Sequence, residues 1–360
     1  MLTTMPGSPP LPLRERVPLG PMTTLGVGGA ARWYVEARDE ATVIAAHAWA
    51  RTQRVPLMVL GGGSNLVVGD DGVDALVVRI ALRGVQSDEH GAAVDVTAAA
   101  GEPWDDLVAF AVERGWAGFE CLSGIPGLVG ATPIQNVGAY GQEVSETVRS
   151  VRALDRETGT VRTFTNADCL FAYRDSRFKS GEPGRFVVLG VTYRLARDGA
   201  ATVRYADVER ALATRGMNRP SLADVRDTVV AIRRSKSMVI DPADPNRRSC
   251  GSFFVNPIVD AADVARIEAR AGDAAMPRWA ERDGRVKLSA AWLIERAGFR
   301  RGQSDGAVGL STRHTLAIVA HDGATAAAVV AFARHVQRTV DARFGVRLTP
   351  EPQFWAILPT

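Results

Sequence analysis

Leu57-Met-Val-Leu60 runs without a break into Gly61-Gly-Gly-Ser-Asn-Leu66. Four apolar residues followed by turn chemistry read as a short buried strand. The three glycines at its end open consecutive backbone N–H groups, and Ser64 and Asn65 add side-chain donors. That set suits a pyrophosphate held in a backbone nest. A plain tight turn is the rival reading, and it would not need three glycines. Around this junction the spacing predicts a helix over Thr42–Gln53. Val43, Ala46, His47 and Ala50 share one of its faces, and Pro56 marks its end. Ala75–Ile80 reads as a second strand. The first ~80 residues therefore form a small α/β unit, lean for a domain of its own.

Working outward, two more segments are rich in glycine. Gly26-Val-Gly-Gly-Ala-Ala31 formally fits G-x-G-x-x-A. Met22-Thr-Thr-Leu25 before it is a poor strand and no helix pattern follows, so a dinucleotide Rossmann site is not expected there. Ser123-Gly-Ile-Pro-Gly-Leu-Val-Gly-Ala131 continues through Gln135-Asn136 to Gly138-Ala-Tyr-Gly141. These glycines permit close approach by a large flat ligand and its phosphates. Ser123, Gln135 and Asn136 offer hydrogen bonds to a polar ring edge. A structural loop uses glycines in the same way. Two such segments, each at a strand end, shift the balance toward a large nucleotide cofactor.

The remaining pattern is mixed. Short β-like runs recur at Ala93–Ala98, Ser150–Leu154, Val161–Phe164 and Phe186–Arg194, with a helix at Glu102–Arg114 between them. Further helices are expected over Ser221–Ser235, Ala261–Ala271, Ser289–Ala297 and Thr325–Phe344, and a last short strand over Phe354–Leu358. Ser221 is the expected N-cap of the first of these, with Asp224 three residues on. Residues 1–20 are Pro-rich and read as a loosely attached leader. The class is α+β, in about three units.

The 360 residues are 46% hydrophobic and 23% charged, with a net charge of +3. That balance argues against a dedicated nucleic-acid binder but leaves room for a local basic pocket. Cys121, Cys169 and Cys250 form no CxxC, so neither a disulfide framework nor a zinc site is expected. No basic region leads into an apolar run at the N-terminus, and no stretch approaches the ~20 apolar residues of a membrane span. A cytosolic protein with no metal, no membrane partner and no nucleic-acid partner is expected.

Asn246-Arg-Arg-Ser-Cys-Gly-Ser-Phe-Phe-Val-Asn-Pro257 puts one hydroxyl, Ser252, after a glycine and before two aromatics. A proton donor in a dry pocket and a corner serine bonded to backbone both fit that segment, and the corner serine is the commoner case.

The glycine-rich segments together resemble the FAD-binding half of the UDP-N-acetylenolpyruvoylglucosamine reductase family. Tyr173-Arg-Asp-Ser-Arg-Phe-Lys179 is similar to that family's arginine motif, Gly251-Ser-Phe-Phe-Val-Asn-Pro257 to its serine motif, and Leu348-Thr-Pro-Glu-Pro-Gln-Phe354 to its C-terminal glutamate motif. Tyr205, in Val203-Arg-Tyr-Ala-Asp207, matches the tyrosine loop of the longer family type. The motifs follow the family's order from about Val17 to Ile357. The resemblance implies an FAD-binding domain of the vanillyl-alcohol-oxidase (PCMH) type in two subdomains, plus a separate α+β substrate-binding domain. It implies a leader at 1–16, FAD-binding subdomains at 17–85 and 86–235, a substrate domain at 236–345, and a C-terminal segment at 346–360 that returns to the active site. It implies an enzyme of peptidoglycan precursor synthesis that reduces the enolpyruvyl ether of a UDP-sugar, using NADPH.

The resemblance also implies residue roles. FAD would be held by Gly61, Gly62, Gly63, Ser64, Asn65, Leu66, Ser123, Gly124, Ile125, Gly127, Gly130, Ala131, Gln135, Asn136, Gly138 and Ala139. Tyr205, Arg233, Lys236 and Asn256 match substrate contacts, and Lys287 and Gln303 match with looser spacing. Arg174 would meet the substrate carboxylate, since its fork matches a carboxylate bidentately; taken locally, a surface salt bridge to Asp175 is the simpler reading. Glu351 would orient Arg174 or, protonated, donate to the enolate. Ser252 would give the proton. Cys250 reads as a small buried residue.

Two rivals remain at this level. Another flavin oxidoreductase of the same fold, a sugar or lactone oxidase, would often bind flavin covalently through a histidine in the first glycine segment. None of the five histidines lies in Gly61–Leu66 or Gly124–Gly141, so noncovalent flavin is expected. A nonenzymatic nucleotide-binding regulator would have no reason to carry Arg174, Ser252 and Glu351 in matching motifs. A monomer is the expected state.

Overall fold

A computed structural model describes residues 11–272, 276–281 and 283–357. The expected leader up to residue 10, and Leu358 of the expected last strand, lie outside the described residues. The chain divides into two compact units. One gathers Ala31–Gly62 and Asp74–Arg234 with the N-terminal stretch to Val17; the other gathers Pro18–Ala30, Gly63–Val73 and the chain from Ser235 on.

The first unit holds two sheets. In the smaller, the strand order is Arg14–Pro18, Ala30–Ala37, Val73–Ile80, Leu57–Leu60. The last two run parallel, with Leu57 opposite Leu76 and Leu60 opposite Arg79. Helix α1 (Glu40–Gln53) buries the expected face of Val43, Ala46, His47 and Ala50. Asp39 caps it by accepting from the Thr42 amide at 2.7 Å, which satisfies one orphan N–H of the first turn. The leader reading fails for Arg14–Pro18, which form the edge strand of this sheet. These residues are mostly exposed, so backbone pairing rather than an apolar face holds them, and no periodicity announces it.

The larger sheet orders Val161–Thr165, Val148–Asp155, Phe186–Arg197, Ala93–Ala99 and Val85–His90, and Trp116–Ala117 pairs with the end of Phe186–Arg197. Its neighbours are antiparallel. Helix α2 (Trp104–Glu113) packs on it through Trp104, Leu107, Val108 and Ala111. The Trp104, Phe119 and Tyr193 rings meet at 4.9–5.8 Å between centroids. Burying each contributes about 1.5–3 kcal/mol, which anchors the chain on both sides of the long glycine-rich loop. Helices α3 (Ala206–Thr214) and α4 (Leu222–Ser235) close a satellite core of Val208, Leu212, Val225 and Val229 around Cys121. Ser221 and Asp224 cap α4 reciprocally, at 2.9 and 3.2 Å, as their spacing predicts.

The second unit centres on α7 (Ala326–Phe344), capped by Thr325 and closed by Gly345 at a φ of +67°. The Asp70 carboxylate also takes the Ala326 and Ala327 amides at 2.7 and 2.9 Å. Around α7 pack α5 (Ala261–Ala271), α6 (Ala290–Arg296) and a core that includes Phe253, Phe254, Leu293 and Ile318. Gln353–Trp355 runs parallel to Leu66–Val68. The stretch after Gly26 forms no helix and leads into the Ala30–Ala37 strand, as the rejection of a Rossmann site requires.

Candidate active site

In the first unit, the long glycine-rich loop is fixed from both faces. Trp104 N donates to Gly127 O at 3.0 Å, Val129 N to Glu102 O at 2.9 Å, and Gly130 N to Ala100 O at 2.9 Å. Gly124, at a φ of +69°, is held twice. Its amide donates to Asp105 Oδ1 at 2.6 Å, and its carbonyl accepts from Arg233 Nε at 3.1 Å. Arg226, two helical turns before Arg233 on α4, forks onto Asp105 at 2.6 and 2.9 Å. Burial alone would raise the Asp105 carboxyl. The bonds from Arg226 and the Gly124 amide instead hold it below its ordinary value.

Several loop residues are spoken for by the protein itself. Ser123 is fully buried and donates to Glu120 O at 2.7 Å. Asn136 donates to Glu143 Oε2 at 2.8 Å and to Ala172 O at 3.0 Å, and accepts from Ser145 N at 3.1 Å. Its side chain is thereby committed to shaping the loop. Ala139 and Gly138 pair with Gln142 and Glu143 in a short ladder. Gly130 and Ala131 belong to a 3₁₀ turn over Val129–Ala131.

The loop also carries features a dinucleotide needs. Among the described residues, the amides of Gly62, Ile125 and Gly127 donate to no protein acceptor. A Cβ added at Gly62 would sit 3.1 Å from Gly127 Cα, whereas one at Gly61 meets only Leu128 Cδ1, at 3.9 Å. So the two glycine-rich segments touch through backbone and leave unpaired amides, a donor set that fits the phosphates and ring edge of FAD. Gln135 lies on the same loop.

Arg174 sits at the tip of a two-residue turn, where Ala172 and Asp175 exchange backbone bonds at 3.0 and 3.1 Å. Its φ is +53°, a conformation costing about 1–2 kcal/mol in an L-residue. Its guanidinium donates to Gly138 O at 2.5 Å and lies 5.4 Å from the Tyr173 ring. A Cβ at Gly138 would approach Arg174 Nη1 to 3.0 Å. Asp175 accepts instead from the Ser176 amide at 2.8 Å, so the salt-bridge reading of Arg174 with Asp175 fails. Arg233 lies close enough to Arg174 to feel its charge. Burial pushes the Arg233 guanidinium down, Tyr140 and Asp105 oppose that, and Arg174 adds to it. The Tyr140 and Tyr205 rings meet edge to face at 5.4 Å, and burial raises both phenols. Two guanidiniums ringed by Tyr140, Tyr173 and Tyr205 make a place for an anionic group.

In the second unit, the serine and glutamate motifs lie side by side. Val255 N donates to Thr349 O at 3.0 Å, and Glu351 N to Phe253 O at 2.9 Å. Gly251 takes a φ of +71°. Cys250 is buried, with its thiol donating to Leu66 O at 3.7 Å. Burial pushes that thiol up to about 12, far from reactive. Ser252 Oγ makes no protein hydrogen bond among the described residues. The end of the first glycine-rich segment joins these motifs. Asn65 Nδ2 donates to Glu351 O at 3.3 Å, Gln353 N donates to Asn65 O at 2.9 Å, and Thr24 Oγ1 reaches Ser64 O and Ser249 O. Gly63 admits no side chain, since a Cβ would stand 2.1 Å from Met22 O.

The other expected substrate residues are placed more loosely. Lys287 pairs with Glu281 at 2.8 Å, and Asn256 Oδ1 accepts from Ala290 N at 3.0 Å. Gln303 accepts from Arg300 N at 3.0 Å and is exposed. Lys236 lies near His314. Burial first, then Lys236 and Arg301, push that imidazole down to about 4, so it is neutral at neutral pH. Sequence reading missed His314, Asp105, Arg226 and Tyr140. Only Tyr140, inside the Gly138–Gly141 run, carried a signal that could have found it.

Open amides in these loops beside an arginine–tyrosine cluster fit a flavoprotein, and the family matches make it one. Residues 31–165 match the FAD binding domain family, and residues 242–355 match the family described as UDP-N-acetylenolpyruvoylglucosamine reductase, C-terminal domain. The fold is the expected α+β one, an FAD-binding domain with a separate second domain. The chain is 50% identical to the UDP-N-acetylenolpyruvoylglucosamine reductase of Saccharopolyspora erythraea over 93% of each chain. It is 48% identical to that of Streptomyces avermitilis, again over 93% of each. The crystal structure of the Thermus caldophilus reductase superposes with a TM-score of 0.66 at 26% identity, covering 95% of this chain and 99% of that one. The chain belongs to the UDP-N-acetylenolpyruvoylglucosamine reductase family.

Proposed function

We propose that this enzyme reduces UDP-N-acetylglucosamine enolpyruvate to UDP-N-acetylmuramate, a step of peptidoglycan precursor synthesis, with NADPH as reductant. Family membership over nearly the whole chain supports the reaction, and the amide-rich glycine loops support noncovalent FAD. FAD held by these loops would supply hydride chemistry at the enolpyruvyl double bond, with NADPH as the reductant.

The chain's own residues handle charge and proton. Arg174 holds the substrate carboxylate, on which negative charge grows as the double bond accepts hydride. Arg233, Lys236, Tyr205, Asn256, Lys287 and Gln303 bind the UDP-sugar. Glu351 orients Arg174 or donates to the enolate. Ser252 Oγ gives its proton to the carbon bearing the ether oxygen and is reprotonated from solvent. One hydride and one proton thus add across the carbon–carbon double bond. Cytoplasmic location and a monomeric state belong to the same proposal.

The observation that carries the residue roles is the pairing of the serine and glutamate segments, with Ser252 Oγ unclaimed by any protein partner among the described residues. A serine is a weak acid in water, and it acts here only if neighbours support its loss of a proton. The test is NADPH oxidation with and without enolpyruvyl-UDP-N-acetylglucosamine. Oxidation that depends on this substrate supports the reading, and oxidation indifferent to it contradicts the reading.

A further inference from the structure

A cavity of about 790 Å³ opens in the first unit among residues the reaction does not use. Its size falls within the ~300–1,000 Å³ of small-molecule sites. One wall is the last turn of α1. Arg51 lies on it, and Arg54 closes it in the left-handed conformation. Facing these are Arg156 and Glu157, in the connection after Val148–Asp155, and Pro183-Gly184-Arg185 ahead of the Phe186–Arg197 strand.

The charges do not balance. Arg185 is spent on Asp155, Glu157 and Glu182 at 2.8, 3.2 and 2.5 Å. Arg156 is half-buried, yet its guanidinium is held only by carbonyls, Gly184 O at 2.6 Å and Leu57 O at 3.1 Å. Arg51 donates only to Glu157 O, at 3.3 Å. Among the described residues, Arg51, Arg54 and Arg156 make no ion pair. Burial also pushes the Arg156 guanidinium below its ordinary value. A half-buried cation without a counter-charge is costly, and a bound anion offsets that cost. The adjacent end of α1 does not repel an anion strongly, because Arg54 N and Val55 N already engage its last carbonyls. Beside the arginines, Ala50 and Pro56 supply uncharged wall, and burial pushes the His47 imidazole below its ordinary value.

We infer that this cavity is a second anion site, in which Arg51, Arg54 and Arg156 hold the phosphates of a polyphosphate-bearing ligand of nucleotide size. Three guanidinium forks around one opening match several phosphate oxygens bidentately, which a single carboxylate would leave unused. The site sits at the start of the Leu57–Leu60 strand, whose other end delivers Gly61 and Gly62, so a ligand here touches the element that carries the flavin loop.

Flavin-loaded protein titrated calorimetrically with ATP and, separately, with inorganic tripolyphosphate tests this at fixed ionic strength. The Arg51→Gln/Arg54→Gln double variant changes two exposed side chains and should keep its flavin content and substrate-dependent NADPH oxidation. Its affinity for both probes should fall at least tenfold. Hydrogen exchange with probe bound should slow in residues 51–57, 156–157 and 183–185. Tighter binding of ATP identifies a nucleotide ligand, and equal binding identifies recognition of the phosphates alone. Unchanged affinity in the double variant, no binding to the wild type, or slowing confined to residues 61–66 and 123–141 would overturn the inference.

Discussion

The amide of Glu351 donates to the carbonyl of Phe253 at 2.9 Å, so two motifs about a hundred residues apart in sequence share one ladder. Ser252 stands one residue before that bond. If it is the proton donor, Ser252→Ala should leave flavin reduction by NADPH at its normal rate. Product formation should fall about 10²–10⁴-fold, the range for a lost general acid. Stopped-flow measurement of flavin reduction alongside product quantification checks this, and a normal rate of product formation would remove Ser252 from the mechanism.

Arg174→Lys keeps the charge and loses the fork. The turn that presents Arg174 is held by the backbone of Ala172 and Asp175, but the guanidinium also donates to Gly138 O, so thermal stability should fall by about 0.5–1.5 kcal/mol, the net contribution of one hydrogen bond. Turnover should drop about 10²–10³-fold, as when one preorganised donor to a developing charge is lost. Thermal melting alongside kcat separates the two effects.

Asp105 holds the loop through the Gly124 amide and the Arg226 fork. Asp105→Asn weakens both the Arg226 fork and the Gly124 amide bond, and should cost about 1–3 kcal/mol, read as faster FAD release. The pH dependence has a definite sign. The Asp105 carboxyl is depressed in the folded protein, so its contribution is complete above the unfolded value of about 3.9 and is lost as pH falls through the lower folded value. Wild type should therefore retain flavin better than Asp105→Asn at neutral pH, and the two should converge down an acid series as the wild-type carboxylate is protonated.

Glu120 is fully buried and accepts three hydrogen bonds, from Gly118 N at 2.8 Å, Gln142 Nε2 at 2.9 Å and Thr202 N at 2.8 Å. Thr202 opens the strap that carries Tyr205. Glu120→Ala orphans all three donors and should cost about 3 kcal/mol or more. Glu120→Gln, with fewer orphaned donors, should fold. Its KM for the UDP-sugar should rise more than its kcat falls, because the strap loses its anchor while Arg174 and Ser252 stay in place. Equal changes in both constants would assign Glu120 to stability alone.

Local chemistry made much of the fold legible. Ser221 and Asp224, three residues apart, cap their helix as the spacing predicts, and Ser289 and Thr325 cap theirs across the same interval. Val85–His90 and Arg14–Pro18 carried no pattern because they are exposed strands paired through backbone. In the candidate site, the motif residues were visible, but their partners were not. Asn136 reads as a ligand donor, yet Glu143, Ala172 and Ser145 use its amide. The Asp105–Arg226 fork joins two helices 121 positions apart, and no window of sequence brings them together. The left-handed backbone at Arg174 is equally invisible, since nothing in Tyr-Arg-Asp-Ser demands it.

The central claim is the reduction itself, and substrate-dependent NADPH oxidation by the flavin-loaded enzyme tests it most directly. One NADPH should be consumed per enolpyruvyl-UDP-N-acetylglucosamine, with a product two hydrogens heavier and one solvent-derived deuterium at the ether-bearing carbon when the reaction runs in D₂O. A yellow protein whose NADPH oxidation is unaffected by this substrate, or one that contains no flavin at all, would contradict the account.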